Sequence, residues 1–396
     1  MFKFNRIFLI VTDSLGIGDD GRQKEFQDEG ANTLYSASTT NLLEIPTWKK
    51  LGITNIAKLE GHYKKNKEPQ AYMGKIIAKS NAKDTLAGHW EMMGIWTKVA
   101  NPNFDNGFPR ELLDELEKEF DGRKIIGNKS ISGTVILQEL GDQEQDDKII
   151  VYTSPDSTLQ ICGNEKTMGL DNLYKYAKAA RRICSSRPEW NVARVIARPY
   201  VKEDGKFIRT FNRHDYANRP PQETVLNRLQ QANIKTIGVG KIHDIFSGYG
   251  IDQVYGPASD NENMDVAINI ATTDSKNEFI FVNLVEFDSS YGHRRNVVGY
   301  AENVNNFDIK LAKLINALKE DDLLLISSDH GNDPLFPGTN HTREALPLTV
   351  FSKQFKDMKK GLSTHIDSLA TIGNIVAKNF KIKLSDIGED IFDELT

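Results

Sequence analysis

Short runs of apolar residues, rich in β-branched side chains, recur along this chain and constrain its fold more than any other feature. They are "RIFLIV" (6–11), "FIFVNLV" (279–285), "LLLIS" (323–327) and "LTVFS" (348–352), with "KTIGVG" (235–240) a weaker copy. Such runs are typical of strands that are buried on both faces of a sheet. Helical patterns lie between them, at 222–233, 307–319 and 366–379. The alternation predicts an α/β fold with a mostly parallel sheet flanked by helices.

The middle of the chain, from about 100 to 219, has a different pattern. It is charged and interrupted by glycine and proline, with a predicted helix near 171–184 and short strands such as "KIIVY" and "RVIARPYV". The stretch "NRPP" (218–221) indicates a boundary. We interpret residues 100–219 as a smaller α+β domain inserted into the α/β core. The core is then discontinuous and consists of residues 1–99 and 220–396.

Composition argues against several classes of protein. The 396 residues carry a net charge of −5 with an isoelectric point near 6.0, whereas nucleic-acid-binding proteins usually present a basic face. No apolar run reaches the length of a transmembrane helix, and the run from Ile7 to Val11 is too short for a signal peptide. Cys162 and Cys184 have no metal or redox spacing. We therefore expect a cytoplasmic protein with no membrane association and no obligate protein partner.

Acids and histidines follow three of the predicted strands, in the position where ligands bind in parallel α/β sheets. Each residue alone has an ordinary explanation, as a helix cap, a turn residue or a polar loop side chain. Six such residues after strands, and none within them, favour a metal site. Aspartate and imidazole without cysteine suit Mn²⁺ or Zn²⁺, and six ligands suit two ions that clamp a phosphoryl group. The six are Asp13, Asp288, His293, Asp329, His330 and His341.

A nucleophile for such a site is offered by Thr85 in "AKDTLAGHWEMMG" (82–94). Threonine is a common helix cap, and Trp90, Met92 and Met93 are ordinary core residues, so the motif alone is weak. The same position at the start of a predicted helix would favour a phosphate on Thr85, because helix N-terminal N–H groups stabilise anions. Contact with a metal would activate the hydroxyl for attack.

Six motifs in order along the chain resemble the phosphopentomutase family of the alkaline phosphatase superfamily. They are "VTDSLGIGDD", "KDTLAGHWEMMG", "YTSPDSTLQI", "RVIARPY", "NLVEFDSSYGHRRNVVGYA" and "DHGNDPLFPGTNHTRE", which together run from near the N-terminus to about residue 350. The chain departs from the family pattern at Ala82, Glu286 and Asn340, where glycine, aspartate and an acidic residue are usual. None of the three is a candidate ligand. The resemblance implies an alkaline-phosphatase-like core and an inserted cap domain.

The resemblance also implies roles for individual residues. Thr85 would carry the phosphoryl group between two Mn²⁺ ions. One ion would be held by Asp13, Asp329 and His330, and the other by Asp288, His293 and His341. Ser154 and Asp156 in the cap would face the sugar. The residues implied for phosphate binding or for lining the pocket are Arg194, Arg209 and Lys241. Arginine and lysine are suitable ligands for phosphate. The ordinary alternative is that these three are solvated cations on the protein surface.

The implied reaction moves phosphate between O1 and O5 of ribose or deoxyribose through a 1,5-bisphosphate, and a sugar bisphosphate primer phosphorylates Thr85 beforehand. Three alternatives remain open. A metal-dependent phosphatase would share the ligands but not the cap motif. A metal-dependent phosphoglycerate mutase would use serine where this chain has Thr85. An inactive metal-bound regulatory protein would not need the complete set of ligands and nucleophile.

Overall fold

The computed structural model describes residues 2–61, 63–144, 147–154, 157–355 and 365–395. The chain forms two compact units, one of residues 1–99 and 220–396 and the other of residues 100–219. The strands of the described residues are β1 (Arg6–Thr12), β2 (Tyr72–Ile77), β3 (Lys124–Ile126), β4 (Lys148–Tyr152), β5 (Thr158–Asn164), β6 (Arg194–Glu203), β7 (Lys206–Arg209), β8 (His214–Ala217), β9 (Lys235–Val239), β10 (Gln253–Tyr255), β11 (Glu278–Leu284), β12 (Asp322–Ser327), β13 (Leu346–Phe351) and β14 (Ile366–Asp367).

The helices of the same residues are α1 (Thr33–Ser38), α2 (Pro46–Leu51), α3 (Thr85–Met92), α4 (Arg110–Glu119), α5 (Gly133–Leu140), α6 (Leu170–Cys184), α7 (Val225–Gln231), α8 (Ile242–Ile245), α9 (Asp260–Thr272), α10 (Val297–Ala317) and α11 (Ala370–Asn379). None of these helices combines the length and the apolar character that a membrane crossing needs.

The larger unit is built on one eight-stranded sheet with the order β10-β9-β11-β1-β12-β13-β2-β14. β1 lies at its centre and pairs in parallel with β11 and β12, while β13 runs antiparallel to both of its neighbours. All seven residues of β1 are buried, as are those of β11 and β12, because helices cover both faces of the sheet. The predicted fold class, an α/β fold with a mostly parallel sheet, is confirmed.

The helices predicted in the larger unit are present with different bounds. The helix predicted at 307–319 is the second half of α10, which begins at Val297 and is capped by the Asn296 side chain. Asparagines and Gly299 weaken the helical pattern in the first half, where packing of Tyr300 and Val304 into the core fixes the helix instead. The helix predicted at 366–379 begins only at Ala370, because Ile366–Asp367 pairs with β2 as β14.

The smaller unit has a second sheet with the order β3-β4-β5-β6-β7, and β8 also pairs with β6. One face packs against α4 and α6 through a core that includes Leu112, Tyr176 and Val195. Ile136 and Leu137 of α5 cover part of the other face, where they pack on Tyr152 and Tyr200. Two cysteines, Cys162 and Cys184, are buried in this unit as free thiols.

Candidate active site

Three neighbouring strands of the larger unit end at the same edge of the sheet, and an acid follows each of them. β1 and β11 are in register up to Thr12 and Leu284, and β12 ends level with them at Ser327. Asp13 comes directly after β1 and Asp329 two residues after β12. Asp288 lies in a π-helical turn, Phe287–Gly292, that follows β11. Parallel pairing therefore brings Asp13 together with two acids from the C-terminal half of the chain.

The histidines predicted as ligands converge on these acids. Asp288 contacts two of them, with Oδ2 3.1 Å from Nε2 of His293 and Oδ1 3.3 Å from Nε2 of His341. The Nε2 atom of His330 lies 3.4 Å from Asp13 Oδ1 and 3.4 Å from Asp329 Oδ2. The rings of His330 and His341 stack with their centroids 3.9 Å apart, so that the six side chains form one cluster.

Two groups within this cluster have ligand atoms close enough together to hold an ion. They are Asp288 with His293 and His341, and Asp13 with Asp288 and His330, with all ligand atoms of a group within 4.8 Å of one another. Asp288 thus belongs to both groups and lies between them. The resemblance implies a different group, in which Asp13 and His330 are joined by Asp329. In the structure, His330 contacts Asp329.

The three histidines have the same orientation, with Nδ1 against a backbone carbonyl and Nε2 towards the acids. Donation of the Nδ1 proton to the carbonyl leaves the Nε2 lone pair directed into the cluster, which is the usual arrangement of metal-binding histidines. The carbonyl partners are Thr339 for His293 at 2.8 Å, Gly331 for His330 at 3.0 Å and Lys83 for His341 at 2.9 Å.

The charges of the cluster are poorly compensated by the protein alone. Burial, followed by the charges of Asp329 and Asp288, raises the pKa of Asp13 well above its ordinary value. Oδ1 of Asp13 and Oδ2 of Asp329 are buried without a hydrogen-bond donor. Buried carboxylate oxygens without donors, facing imidazole lone pairs, fit divalent cations, which would supply the missing positive charge.

Two other pKa shifts show how strongly the members of the cluster interact. Burial alone would lower the pKa of His330, but Asp329, Asp13 and Asp288 raise it to about 9. Burial alone would raise the pKa of Asp288, but the charges and hydrogen bonds of His341 and His293 hold it well below its ordinary value. Both shifts therefore come from the close approach of the acids and the imidazoles to one another.

Thr85 is the first residue of α3, and its hydroxyl faces the cluster. The helix is capped by Asp84, whose side chain accepts a hydrogen bond from the Ala87 amide at 3.1 Å. The alternative that Thr85 is itself the cap is therefore wrong. Oγ1 of Thr85 lies 3.2 Å from Nε2 of His330. The core positions predicted in the same helical segment are confirmed, because Trp90, Met92 and Met93 are buried.

No helix follows the segment "HTRE" (341–344), so the ordinary explanation of His341 as part of a helix cap is also wrong. The segment leads into β13, and its acid, Glu344, is buried beneath the ligand loops. Its carboxylate accepts hydrogen bonds from the amides of Gly18 and Thr33 and from the hydroxyls of Thr33 and Thr342. A Cβ atom at Gly16 or at Gly331 would lie within 2.5 Å of this side chain. Glu344 thus ties the loop after Asp13 to the loop after His330.

Glu286, one of the departures from the family pattern, fixes the turn that carries Asp288. Its carboxylate accepts a hydrogen bond from the Asp260 amide at 2.7 Å, and its own amide donates to the Asp260 carboxylate at 3.0 Å. Asp260 also accepts a hydrogen bond from Asn303 of α10 at 2.9 Å. This reciprocal pair attaches the turn to the start of α9.

Two residues of the site were not predicted from the sequence. His89 of α3 lies 3.2 Å from Asp329, and Asn283 of β11 donates a hydrogen bond to Asp13 at 2.8 Å. Both side chains are completely buried. Asn283 is the only polar residue in the run "FIFVNLV", and His89 belongs to the motif "GHW". The sequence feature that could have indicated Asn283 is a polar residue within a fully buried strand.

The residues predicted to bind substrate belong to both units. Lys241 follows β9 in the larger unit, next to Gly240, where a Cβ atom would lie 2.5 Å from the backbone oxygen of Asn283. Lys241 is therefore close to the edge of the sheet that carries the acids.

The other predicted substrate residues belong to the smaller unit. The Ser154 hydroxyl contacts the Thr158 hydroxyl at 2.9 Å, Arg209 donates to Thr134 Oγ1 at 2.7 Å, and Arg194 lies 3.9 Å from Asp215. Asp156 lies outside the described residues.

The comparisons with known proteins agree with this site. The sequence profile of the metalloenzyme superfamily matches residues 5–384. Over 397 residues the chain is 63% identical to a phosphopentomutase of Mycoplasmopsis pulmonis, with 99% of each chain covered. This chain belongs to the phosphopentomutase family. It is also 47% identical, over the full length of both chains, to a phosphopentomutase of Clostridium beijerinckii. The predicted resemblance is confirmed, and membership of the metalloenzyme superfamily implies a divalent metal, which the buried acid and imidazole cluster fits.

Proposed function

We propose that this chain interconverts the 1-phosphate and 5-phosphate of ribose or deoxyribose, with Thr85 as the carrier of the phosphoryl group. Membership of the phosphopentomutase family supports the reaction. The observation that supports the role of Thr85 is the position of its hydroxyl, 3.2 Å from Nε2 of His330 at the edge of the acid and imidazole cluster. The enzyme is then an isomerase that acts by phosphoryl transfer.

Two divalent cations, which we propose to be Mn²⁺, would supply Lewis-acid stabilisation of the charge that develops during transfer. Asp288, His293 and His341 would hold one of them. Asp13, Asp329 and His330 would hold the other. The protein contributes the orientation of these groups, since the carbonyl partners of the histidines fix each Nε2 towards the centre.

The proposed reaction has two half-steps that conserve the phosphoryl group. In the first, a free hydroxyl of the sugar phosphate attacks phospho-Thr85, the bond from phosphorus to Oγ1 breaks, and the hydroxyl proton ends on Oγ1. The 1,5-bisphosphate then presents its other phosphate, and Oγ1 takes that group while its own proton returns to the sugar oxygen. Between turnovers, the N–H groups in the first turn of α3 would stabilise the phosphate on Thr85. A sugar bisphosphate primer would load Thr85 initially.

We predict that the smaller unit acts as the cap that holds the sugar and excludes water. Water would release phosphate from phospho-Thr85 and turn the mutase into a phosphatase. Ser154 and Asp156 would bind sugar hydroxyls, because hydroxyl and carboxylate oxygens accept hydrogen bonds from them. Three basic residues would bind phosphate or line the pocket, namely Arg194, Arg209 and Lys241.

The rival functions are less well supported. The named relatives are phosphopentomutases over the full length of this chain, which favours the mutase over a phosphatase with the same metal ligands. Thr85 occupies the position at which a metal-dependent phosphoglycerate mutase would use serine. The complete cluster argues against an inactive binding protein. Small pentose phosphates are the proposed partners, and a location in the cytoplasm remains a prediction.

A coupled assay tests this function. Ribose 1-phosphate should be converted to ribose 5-phosphate in the presence of Mn²⁺ and a sugar bisphosphate primer, and mass spectrometry should find phosphate on Thr85 in the peptide that contains "DTLAGHW". Thr85→Ala should fold and bind metal but lose turnover, whereas Thr85→Ser retains a hydroxyl and should keep part of it. Wild-type protein that only hydrolyses ribose 5-phosphate would refute the mutase. Normal turnover by Thr85→Ala would refute the covalent mechanism.

A further inference from the structure

His89 is a buried histidine that none of the roles described above uses. It lies on α3, four residues after Thr85 and therefore one turn along the helix. Its ring packs face to face on Phe281 of β11, with the centroids 5.7 Å apart. Nδ1 lies 2.9 Å from the backbone oxygen of Thr85 and 3.2 Å from Oδ2 of Asp329, and Nε2 lies 3.3 Å from Nδ2 of Asn283.

The hydrogen-bond partners of His89 determine where its proton lies. Nδ2 of Asn283 donates one proton to Asp13 Oδ2, at 2.8 Å, and its second proton points to Nε2 of His89. Nε2 must then accept, and the ring proton lies on Nδ1. From there it is directed to the Thr85 carbonyl, with the Asp329 carboxylate alongside.

The backbone around His89 allows little freedom in this arrangement. Gly88 packs so closely against Asp329 that a Cβ atom at position 88 would lie 2.3 Å from the Asp329 backbone oxygen. The first turn of α3 and the loop after β12 are therefore in direct contact. His89 is the side chain that bridges this contact, and Asn283 extends the bridge to Asp13.

We propose that His89 is a positioning residue, which holds Asp329 and the first turn of α3 in fixed register and, through Asn283, joins them to Asp13. The proposal rests on the proposed function, in which Thr85 and these acids act together. His89 would then link the nucleophile and two metal-binding acids, which come from three separate elements, without touching the substrate. Loss of the bridge would remove the imidazole N–H that lies 3.2 Å from Asp329 Oδ2.

A simple packing role makes a different prediction. A buried ring that only fills space can be replaced by an apolar residue of similar size at the cost of some stability. A bridge requires the polar Nδ1 side of the ring. Asparagine places an amide nitrogen near the position of Nδ1, glutamine places one near Nε2, and leucine has neither, so these three substitutions separate the two roles.

The test measures Mn²⁺ affinity and phosphorylation of Thr85 in four variants, together with the unfolding midpoint. The metal is titrated into chelator-treated protein and followed by electron paramagnetic resonance, without substrate. His89→Leu should weaken Mn²⁺ binding by about 10- to 100-fold, the usual cost of losing a residue that orients a ligand, and should slow phosphorylation of Thr85 to a similar extent. His89→Asn should recover most of both, and more than His89→Gln does.

Trp90→Phe is the matched control. Trp90 is the next residue of the same helix, is buried, and donates its indole N–H to the Ile245 backbone oxygen at 3.0 Å. The variant should lose stability but keep Mn²⁺ affinity and Thr85 phosphorylation.

His89→Leu with the same metal affinity and phosphorylation as Trp90→Phe would overturn the proposal. If His89→Leu does not fold, the comparison of His89→Asn with His89→Gln still tests the proposal. A bridge through Nδ1 is contradicted if His89→Asn binds Mn²⁺ and phosphorylates Thr85 no better than His89→Gln does. Failure of the wild type to isomerise ribose phosphates would refute the proposed function instead, and it would leave the substrate-free metal titration as a separate test of His89.

Discussion

The close contact between Gly88 and Asp329 gives a prediction about the site that requires no substitution of a proposed metal ligand. In the substitution Gly88→Ala, the new methyl group would lie 2.3 Å from the Asp329 backbone oxygen and 2.7 Å from its Cβ atom. Ordinary van der Waals contact begins at 3.4 Å, so α3 and the loop after β12 must separate by about 1 Å. The oxygen belongs to the main chain and the Cβ atom is bonded directly to it, so neither can turn aside as the end of a flexible side chain would.

The expected effects on stability and on activity differ in size. Alanine is favoured over glycine within a helix by about 1 kcal/mol, whereas overpacking a tight contact costs about 1–3 kcal/mol. The free energy of unfolding should therefore fall by at most about 2 kcal/mol. A shift of about 1 Å between Thr85 and the groups around Asp329 should reduce the rate of phosphoryl transfer by about 100-fold. Gly88→Ala should thus be folded but nearly inactive.

Urea unfolding and the coupled isomerase assay measure the two effects side by side. Gly256→Ala is the control, since nothing lies within 4 Å of a Cβ atom at that position, and it should behave as the wild type in both. If Gly88→Ala proves as stable as the wild type and equally active, the contact between α3 and the loop after β12 is not as tight as described. The reasoning from close packing to catalytic geometry would then be wrong.

Three further predictions concern the metals, the sugar site and pH. Chelation should abolish activity and Mn²⁺ should restore it. Asp329→Ala should lose far more activity than His365→Ala. Full activity in protein that elemental analysis shows to be metal-free would refute the requirement for metal. Asp156→Ala should weaken isomerisation while slow hydrolysis of an aryl phosphate survives, and unchanged isomerisation would remove the role in sugar binding. Burial raises the pKa of Asp260 from 3.8 to about 7. The stability that protonation of Asp260 contributes is therefore fully present below pH 3.8 and is lost as the pH rises through about 7. Asp260→Asn should flatten this part of the pH dependence in urea unfolding measured over that range, and an unchanged profile would contradict the shift.

The sequence predicted that the candidate ligands come together, because their positions follow from a local pattern. Asp13 comes directly after one fully buried strand and Asp329 two residues after another, and the ends of adjacent parallel strands meet at one edge of the sheet. The convergence of these acids therefore required only the alternation of strand and helix. The same reasoning placed Thr85 correctly at the beginning of a helix, although the cap is the residue before it.

The supporting residues could not be predicted in the same way, because their roles depend on neighbours that are distant in sequence. His89 acquires its partners from β11 and from the loop after β12, and Glu344 acquires its donors from the loops around Gly18 and Thr33. For α10, the hydrophobic pattern of the sequence predicted only the second half of the helix. Packing against the core, which no local pattern contains, fixes the rest.

The central strands of the larger unit both position the site and compensate for its electrostatic cost. Asp13, Asp288 and Asp329 lie together, and one buried oxygen of Asp13 and one of Asp329 lack donors, an arrangement that is unfavourable in the protein alone. The strands that carry them, β1, β11 and β12, are completely buried and contribute a large apolar area to the core. A stable sheet can therefore hold like charges close together, in the geometry that cations require. Because cations would bind this geometry only in the folded chain, the feature that costs stability in the metal-free protein would contribute stability when the metals are bound.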